Sequence, residues 1–405
     1  MIEGGVTAAT GFEAAGVEAA IKYQNRKDMA MVYSRTPCKA AGVFTSNVVK
    51  AAPVRWDKEV VTHSESVQAV VVNTGYANAA TGKQGYECCK KTAEKAAQLL
   101  GIDPDTVLVA STGVIGNQLP VDRILAGVEK LVEVKTDTKE AGTMAAEAIM
   151  TTDTRYKQAA VQIELNGITV TVGGMCKGSG MIHPNMCTML GFITTDIAIS
   201  KGLLQEALSE DVVDTFNMIS VDGDTSTNDT LIVLANGMAG NPEITTKNED
   251  YNKFKEALHY IDTTLAKMMA GDGEGATALF ETKVIHAASK QDARKLSRSV
   301  IGSSLCKAAL YGHDANFGRI LCALGYSGVD FDPEKVELSF ENEEKSILIC
   351  KDGVAVSYSE EEASQVLASP EVRVLVDMHM GDAEAAAWGC DLSYDYVKIN
   401  ADYRS

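Results

Sequence analysis

Short apolar segments alternate with amphipathic segments through about the first 280 residues of this chain of 405 residues. Apolar runs of about four to eight residues favour buried strands, and apolar positions that recur about every three or four residues favour helices. Alternation of the two is typical of an α/β fold in which helices pack on sheets. The strands predicted in this part are Val67–Val72, Val107–Ala110 and Thr188–Thr195, and the helices are Gly85–Leu100, Val121–Val132, Thr138–Met150 and about Tyr251–Ala270.

A β-hairpin is predicted just before the most glycine-rich part of the chain. Asn166-Gly167 separates the apolar segments Ala160–Leu165 and Ile168–Val172. Asn-Gly suits a type I′ turn, because both central residues of that turn need a positive φ. The hairpin leads directly into the run Lys177–Leu190.

The pattern changes beyond about residue 285, where one helix is followed by shorter strands. We therefore predict an α/β domain over residues 1–285 and a smaller α+β domain over residues 286–405. The elements predicted in the second domain are a helix over Ala293–Leu310 and strands near Val336–Phe340, Ile347–Cys350, Val372–Met378 and Tyr394–Ile399.

The charge balance argues against nucleic acid or a membrane surface as a partner. The chain has 37 basic and 55 acidic side chains, a formal charge of −18. Such a surface repels phosphate groups and anionic lipid. No apolar run reaches the roughly 18 residues that a membrane span needs, and the first residues do not resemble a signal peptide. A cytoplasmic protein is expected.

Cysteine and histidine usage predicts no metal site. The nine cysteines are scattered, form no Cys-x-x-Cys pair and are odd in number, which is typical of reduced thiols in a cytosolic protein. The six histidines are also dispersed along the chain.

The junction Cys187-Thr188 is the strongest candidate for chemistry. A threonine hydroxyl is a weak nucleophile without a base, and the α-amine of an N-terminal threonine can be that base. If the chain cuts itself at this junction, Thr188 becomes the first residue of a new fragment. The products would be residues 1–187 and residues 188–405. A glycine-rich turn that merely enters a strand is the alternative interpretation of the same residues.

An acyl-transfer site also needs donors for the oxyanion and groups that hold the substrate. Thr112 and Gly113 follow a predicted strand and suit the first role, although a plain turn fits their spacing equally. Lys177 sits among glycines and Glu274 lies between two of them, so both suit substrate recognition, although solvated side chains are the common alternative.

Several segments together resemble one family, the ornithine acetyltransferases, also called the glutamate N-acetyltransferases of arginine biosynthesis. The resemblance covers essentially the whole chain, and the long run Lys-Gly-Ser-Gly-Met-Ile-x-Pro-x-Met-x-Thr-Met-Leu is its most specific part. The matching segments are Gly5–Ala8 with Gly11-Phe12, Asn73–Gly82, Ser111–Gly116, Thr151–Asp153, Lys177–Leu190, Ser220–Thr230, Gly273–Thr277, Asp314–Arg319 and Trp388–Ser405.

The resemblance implies a role for each matching site residue. Thr188 would be the nucleophile exposed by self-cleavage after Cys187, and Thr112 with Gly113 would form the oxyanion hole. It also implies a layered α/β sandwich of the kind found in self-processing aminopeptidases, a smaller C-terminal domain and an α2β2 assembly of the cleaved chains. The residues implied to contact the amino-acid substrate are Thr151, Lys177, Thr188, Glu274, Asn400 and Ser405.

The implied reaction moves an acetyl group from N-acetyl-L-ornithine to L-glutamate through an acetyl-threonine intermediate, with no metal or organic cofactor. Whether acetyl-CoA also serves as a donor stays open. Two alternatives remain: an aminopeptidase or amidase of the same fold, and a non-catalytic amino-acid-binding protein. The chain departs from the family pattern at Cys187, where alanine is usual, and at Ala278, where lysine is usual.

Overall fold

The structure is a computed structural model that describes residues 1–183 and 189–402. The β-strands are β1 (Phe12–Val17), β2 (Met29–Phe44), β3 (Val67–Asn73), β4 (Val107–Ser111), β5 (Lys157–Leu165), β6 (Ile168–Lys177), β7 (Leu190–Thr195), β8 (Ile219–Ser220), β9 (Thr230–Ala235), β10 (Leu279–Ala287), β11 (Glu337–Glu341), β12 (Ser346–Lys351), β13 (Val354–Ala355), β14 (Glu371–Asp377) and β15 (Ala383–Cys390). The α-helices are α1 (Ala52–His63), α2 (Gly82–Leu100), α3 (Val121–Val134), α4 (Lys139–Ala148), α5 (Lys201–Asp211), α6 (Glu249–Ala270), α7 (Lys290–Ile301), α8 (Ser304–Tyr311), α9 (Phe317–Gly325), α10 (Glu360–Leu367) and α11 (Tyr394–Ala401).

The chain forms two compact units. The first contains residues 1–178, 185–213 and 225–265, and the second contains residues 179–184, 214–224 and 266–405. The predicted domain boundary, between residues 285 and 286, falls inside β10, which pairs with β14 and β15. A strand in the interior of a sheet cannot be divided between two domains, so the second unit begins earlier than the sequence pattern indicated.

The first unit is built on one mixed sheet in the order β4-β3-β2-β9-β7-β6-β5, with β1 added to β2. Strands β3 and β4 run parallel, as do β7 and β9, and the other neighbours are antiparallel. Helices α1 to α5 pack against these strands. The predicted α/β class is therefore confirmed, with helices layered on a sheet.

Strand β2 joins the two halves of this sheet and was not predicted. Its first residues pair with β3 and its last residues, Lys39–Phe44, pair with β9, with an irregularity in register between Tyr33 and Cys38. Met29–Val32 are fully buried and lie in the apolar core of this unit. The predicted hairpin is confirmed: β5 and β6 are joined by Asn166 and Gly167, both at positive φ.

The second unit contains the other sheet, in the order β13-β12-β11-β14-β10-β15-β8. Helix α7 packs on β10 and β15, and α10 packs on β11. The predicted strands near residues 336–340, 347–350 and 372–378 are confirmed as β11, β12 and β14.

Two predictions for this unit are wrong. The segment Tyr394–Ile399 lies in helix α11, where Asp395 in the first turn and Lys398 in the last complement the helix dipole. The predicted helix over Ala293–Leu310 is two helices, because Gly302 ends α7 and the Ser303 hydroxyl caps α8 by accepting from the amide of Cys306.

Within the described ranges, none of the helices combines the length and apolar character needed to cross a lipid bilayer.

Candidate active site

The loops after β3 and β4 meet because these strands are parallel neighbours. Asn73 and Ser111 are the last residues of the two strands and lie opposite each other in register. The Ser111 hydroxyl donates to the Asn73 side-chain oxygen at 2.6 Å, and both side chains are buried. Parallel pairing therefore fixes the point at which Thr112 and Gly113 leave the sheet.

Gly113 lies where only a glycine fits. Its φ is +130°, and a Cβ atom there would lie 2.4 Å from the carbonyl carbon of Gly75. The neighbouring amides are occupied, since Thr112 N donates to Asn73 O at 3.0 Å and Val114 N donates to Gly75 O at 3.1 Å. The Gly113 amide has no acceptor among the residues described, so it is free to serve as an oxyanion donor.

Asn228 locks these two loops together. Its side-chain amide donates to Ser111 O at 2.8 Å and to Ala77 O at 2.5 Å. The side chain is 8% exposed and comes from the segment just before β9. One buried amide thus bridges both loops, which keeps the Gly113 amide in a fixed direction.

Lys177 lies beside Thr112. It ends β6 and is 8% exposed, and its Nζ lies 3.5 Å from Thr112 Oγ1, at the long end of the hydrogen-bond range. An ammonium group can only donate. The Thr112 oxygen therefore accepts from Lys177, which leaves the hydroxyl proton of Thr112 available to a second oxygen.

A buried carboxylate organises the backbone around Lys177. Asp153 accepts from Lys157 Nζ at 2.6 Å, from Gly178 N at 2.7 Å and from Thr151 N at 3.0 Å. Burial alone would raise the pKa of Asp153, but the Lys177 and Lys157 charges hold that pKa well below its ordinary value. The carboxylate thus holds the backbone of Thr151, which is a predicted substrate contact, and of Gly178, which follows the predicted contact Lys177.

A second buried acid near Lys177 behaves in the opposite way. Asp229 is 1% exposed, and burial raises its pKa well above the ordinary value despite the Lys177 charge. Its neighbour Thr230 donates its amide to Met189 O at 2.8 Å, which ties it to the residue after Thr188. The Lys177 charge thus acts on two buried carboxyl groups whose pKa values are shifted in opposite directions.

The second unit holds two more of the predicted substrate residues, Glu274 and Asn400. Glu274 is 6% exposed, and its Oε2 accepts from Asn400 Nδ2 at 2.7 Å. A Cβ atom on Gly180 would lie 2.4 Å from the Glu274 carboxylate, so a side chain at that position would displace the carboxylate from where it lies. Glu274 N also donates to Ser179 O at 2.9 Å. The glycine-rich run thus provides both a backbone partner and the space for this acid.

The last described residues of the run before Thr188 are anchored by Asp222. Its carboxylate accepts from Met181 N at 2.5 Å and from Ile182 N at 2.8 Å. The His183 ring contacts Ser220 Oγ at 2.9 Å and Arg298 at 3.2 Å. Burial and the Arg298 charge lower the pKa of His183, which favours a neutral ring near neutral pH.

The comparisons with known proteins identify the family. The ArgJ family model matches residues 13–405. The chain belongs to the ArgJ family. It is 51% identical over 396 residues to the arginine biosynthesis bifunctional protein ArgJ 1 of Clostridium acetobutylicum, covering 97% of this chain and 96% of the relative. It is 53% identical over 406 residues to the arginine biosynthesis bifunctional protein ArgJ of Symbiobacterium thermophilum, covering 100% and 99%.

A crystal structure of the arginine biosynthesis bifunctional protein argJ from Bacillus halodurans also matches, with 45% identity and a TM-score of 0.50. The match covers 52% of this chain and 97% of that chain. The predicted family is therefore confirmed, and with it the prediction that this ArgJ-family chain is an enzyme of arginine biosynthesis.

The structure brings some of the predicted site residues of this ArgJ-family chain together within each unit. Lys177 lies beside Thr112 in the first unit, and Glu274 beside Asn400 in the second. Three further residues with predicted roles lie outside the described residues: Cys187, Thr188 and Ser405.

Ala278 stands where the family usually has lysine, and the backbone at this position is held by contacts that do not involve the side chain of residue 278. The Asp391 carboxylate accepts from Ala278 N at 3.2 Å, and from Thr277 N at 2.8 Å and Thr277 Oγ1 at 2.6 Å. The segment that follows Glu274 is therefore held without the lysine that the family usually has at position 278.

Sequence reasoning assigned no role to Asp153, Asn228 or Asp229. Each lies in a segment that carried the family resemblance, so membership of a matching motif was the available signal. The Asp153–Lys157 spacing of four residues suggests an ion pair only in a helix. Helix α4 has already ended at Ala148, so the pair could not be inferred from the sequence.

Proposed function

We propose that this chain transfers the acetyl group of N-acetyl-L-ornithine to L-glutamate through an ester on Thr188. Membership of the ArgJ family supports this activity over an aminopeptidase. The observation that carries the chemistry is the Gly113 amide, which has no acceptor in the part of the chain that the structure describes. It follows Thr112, and the Thr112 hydroxyl oxygen lies 3.5 Å from Lys177 Nζ. These two donors suit the oxyanion of an acyl-transfer reaction.

The first half-reaction forms the ester. Thr188 Oγ attacks the acetyl carbonyl carbon, and the α-amine of Thr188 accepts the hydroxyl proton. The oxyanion receives hydrogen bonds from the Gly113 amide and the Thr112 hydroxyl. The carbon–nitrogen bond then breaks, and the amine returns the proton to the nitrogen of ornithine as it leaves.

The second half-reaction reverses this chemistry with a different amine. The amino group of L-glutamate attacks the ester carbonyl, its proton passes to the Thr188 amine, and Thr188 Oγ leaves and is reprotonated. This chemistry requires no metal or organic cofactor, because the threonine supplies both nucleophile and base. The predicted substrate contacts are Thr151, Lys177, Glu274, Asn400 and Ser405.

Self-cleavage between Cys187 and Thr188 is part of the proposal. The Bacillus halodurans chain of known structure matches over 97% of its own length but only 52% of this chain. A fragment of residues 188–405 would likewise span just over half of the 405 residues. That agreement supports cleaved chains, which we propose assemble as α2β2 in the cytoplasm.

A donor and acceptor assay tests the proposed reaction. With N-acetyl-L-ornithine and L-glutamate, the protein is expected to produce N-acetyl-L-glutamate and ornithine in equal amounts. Without glutamate, only a small burst of ornithine is expected, because the ester has no acceptor. Steady release of acetate at a similar rate without glutamate would instead identify a hydrolase. The relatives are named bifunctional, so acetyl-CoA with glutamate is the second donor in the same assay.

A further inference from the structure

Two histidines and an aspartate lie together at one edge of the sheet in the second unit. His286 lies on β10, Asp377 is the last residue of β14, and His379 follows two residues later. One ligand atom from each of the three lies within 4.8 Å of the others. The histidines are far apart in the sequence, so only the pairing of β10 with β14 reveals the cluster.

The distances between these ligand atoms suit a metal ion. His286 Nδ1 lies 2.9 Å from Asp377 Oδ1, and His379 Nδ1 lies 3.4 Å from the same oxygen. Ligands in a tetrahedral zinc site are about 3.3 Å apart, given metal–ligand distances of about 2.0–2.1 Å. The two nitrogen–oxygen distances lie on either side of that value, and the ligand nitrogens of the two histidines lie within 4.8 Å of each other.

Both ring nitrogens of His379 face carboxylate groups. Its Nδ1 lies 3.4 Å from Asp377 Oδ1, and its Nε2 lies 3.5 Å from Glu337 Oε1. The ring therefore lies between two acidic side chains that come from neighbouring strands.

The strand register adds an unfavourable pair of like charges. Glu337 on β11 lies directly opposite Asp377 on β14. Like charges in directly opposite positions destabilise an antiparallel pair. Lys351 Nζ is 3.6 Å from Glu337, whereas the ion-pair partners of Asp377 among the described residues are His286 and His379. A cation at Asp377 would relieve the repulsion.

Both histidines have backbone conformations that are uncommon for a residue with a side chain. The φ of His286 is +53° and that of His379 is +49°. Hydrogen bonds hold them there: His286 O accepts from Met380 N at 2.7 Å, and the Asp377 carboxylate accepts from His379 N at 3.1 Å. Such strained positions are often found at binding sites.

We propose that His286, Asp377 and His379 bind a zinc ion that joins β10, β14 and the loop after β14. Two imidazole nitrogens and one carboxylate favour zinc over magnesium or calcium, which prefer oxygen ligands throughout. Three protein ligands leave one coordination position for water. Because the histidine side chains are about half exposed, at 51% and 44%, a reversible site is expected. The site is independent of the proposed acetyl transfer.

Titration calorimetry of the full-length protein with Zn²⁺ tests this site. The protein carries Cys322→Ser, because Cys322 is an exposed thiol that also attracts zinc. One zinc ion per chain is expected. His286→Ala is expected to lower the affinity at least tenfold, because changing even a residue that supports a metal ligand typically costs about 10–100-fold. His313→Ala alters another exposed histidine of the second unit and is expected to bind zinc as the parent does. Mg²⁺ is expected not to bind.

Equal affinity in the parent and in His286→Ala, or no binding by the parent, would overturn the proposal. Thermal unfolding of each variant in EDTA checks that it folds. If His286→Ala is unfolded, Asp377→Asn replaces it, because it keeps the side-chain shape and removes the charge. The same titration on Thr188→Ala separates the two proposals, since zinc binding does not require an active nucleophile.

Discussion

Thr188→Ala is expected to give one intact chain of 405 residues with acetyl transfer reduced by about 10⁴-fold or more. The proposed nucleophile and its base both belong to Thr188, so one substitution removes the attack that cleaves the chain and the attack that forms the ester. Denaturing gel electrophoresis and intact mass report cleavage, and the N-acetylglutamate assay reports activity.

Two variants sharpen that result. Thr188→Ser keeps a hydroxyl and an α-amine, so it is expected to cleave and to retain part of the activity. Thr245→Ala changes an exposed threonine and is expected to match the wild type in both assays. Two fragments from Thr188→Ala, or activity comparable to wild type, would show that another residue performs the attack.

Asp153→Asn is expected to lower the free energy of unfolding by about 3–5 kcal/mol, because it removes the carboxylate charge that the buried Lys157 ammonium contacts at 2.6 Å. Both side chains of this pair are at most 1% exposed. Urea unfolding measures the change. Glu147→Gln, which breaks the half-exposed pair with Lys27, is the control and is expected to cost about 0–1 kcal/mol.

Replacing both partners of the buried pair gives an internal check. Asp153→Asn combined with Lys157→Met is expected to recover part of the lost stability, because the buried charge at position 157 is removed together with the charge at position 153. A loss of unfolding free energy in Asp153→Asn no larger than that in Glu147→Gln would contradict the stabilising role of this buried ion pair.

The same substitution has a definite pH dependence. The pKa of Asp153 is lowered in the folded protein, so its contribution is fully present above the ordinary aspartate value of about 3.9. The contribution is lost as the pH falls from there towards the folded-state pKa. The stability difference between wild type and Asp153→Asn is therefore expected to be constant near neutral pH and to shrink below about pH 4.

The sequence predicted the α/β class and about half of the helices and strands, because the apolar periodicity of these elements agrees with their final burial. The hairpin turn at Asn166-Gly167 was predicted from a different signal, because that dipeptide fits a positive φ at both residues. Helix α11 was missed because Tyr394 and Val397 are exposed and the segment has strand-like content. Its charged ends, rather than an apolar face, favour the helix.

Site residues that belong to a local sequence motif could be predicted. Site residues that are brought together only by contacts between distant parts of the chain could not. Thr112 and Gly113 were identified from a strand end and a glycine. The Asn228 side chain donates to the carbonyl oxygen of Ser111, 117 residues away in the sequence, and this contact exists only in the folded sheet. The ligand cluster at His286 also depends on strand pairing, so the dispersed histidines gave no indication of it.

The most direct test of the proposed mechanism is the mass of the cleaved wild-type chains after incubation with N-acetyl-L-ornithine alone. The fragment that begins at Thr188 is expected to gain one acetyl group, located on Thr188, and to lose it when L-glutamate is added. Turnover without any acetylated chain, or an acetyl group on another residue that L-glutamate removes, would contradict the mechanism.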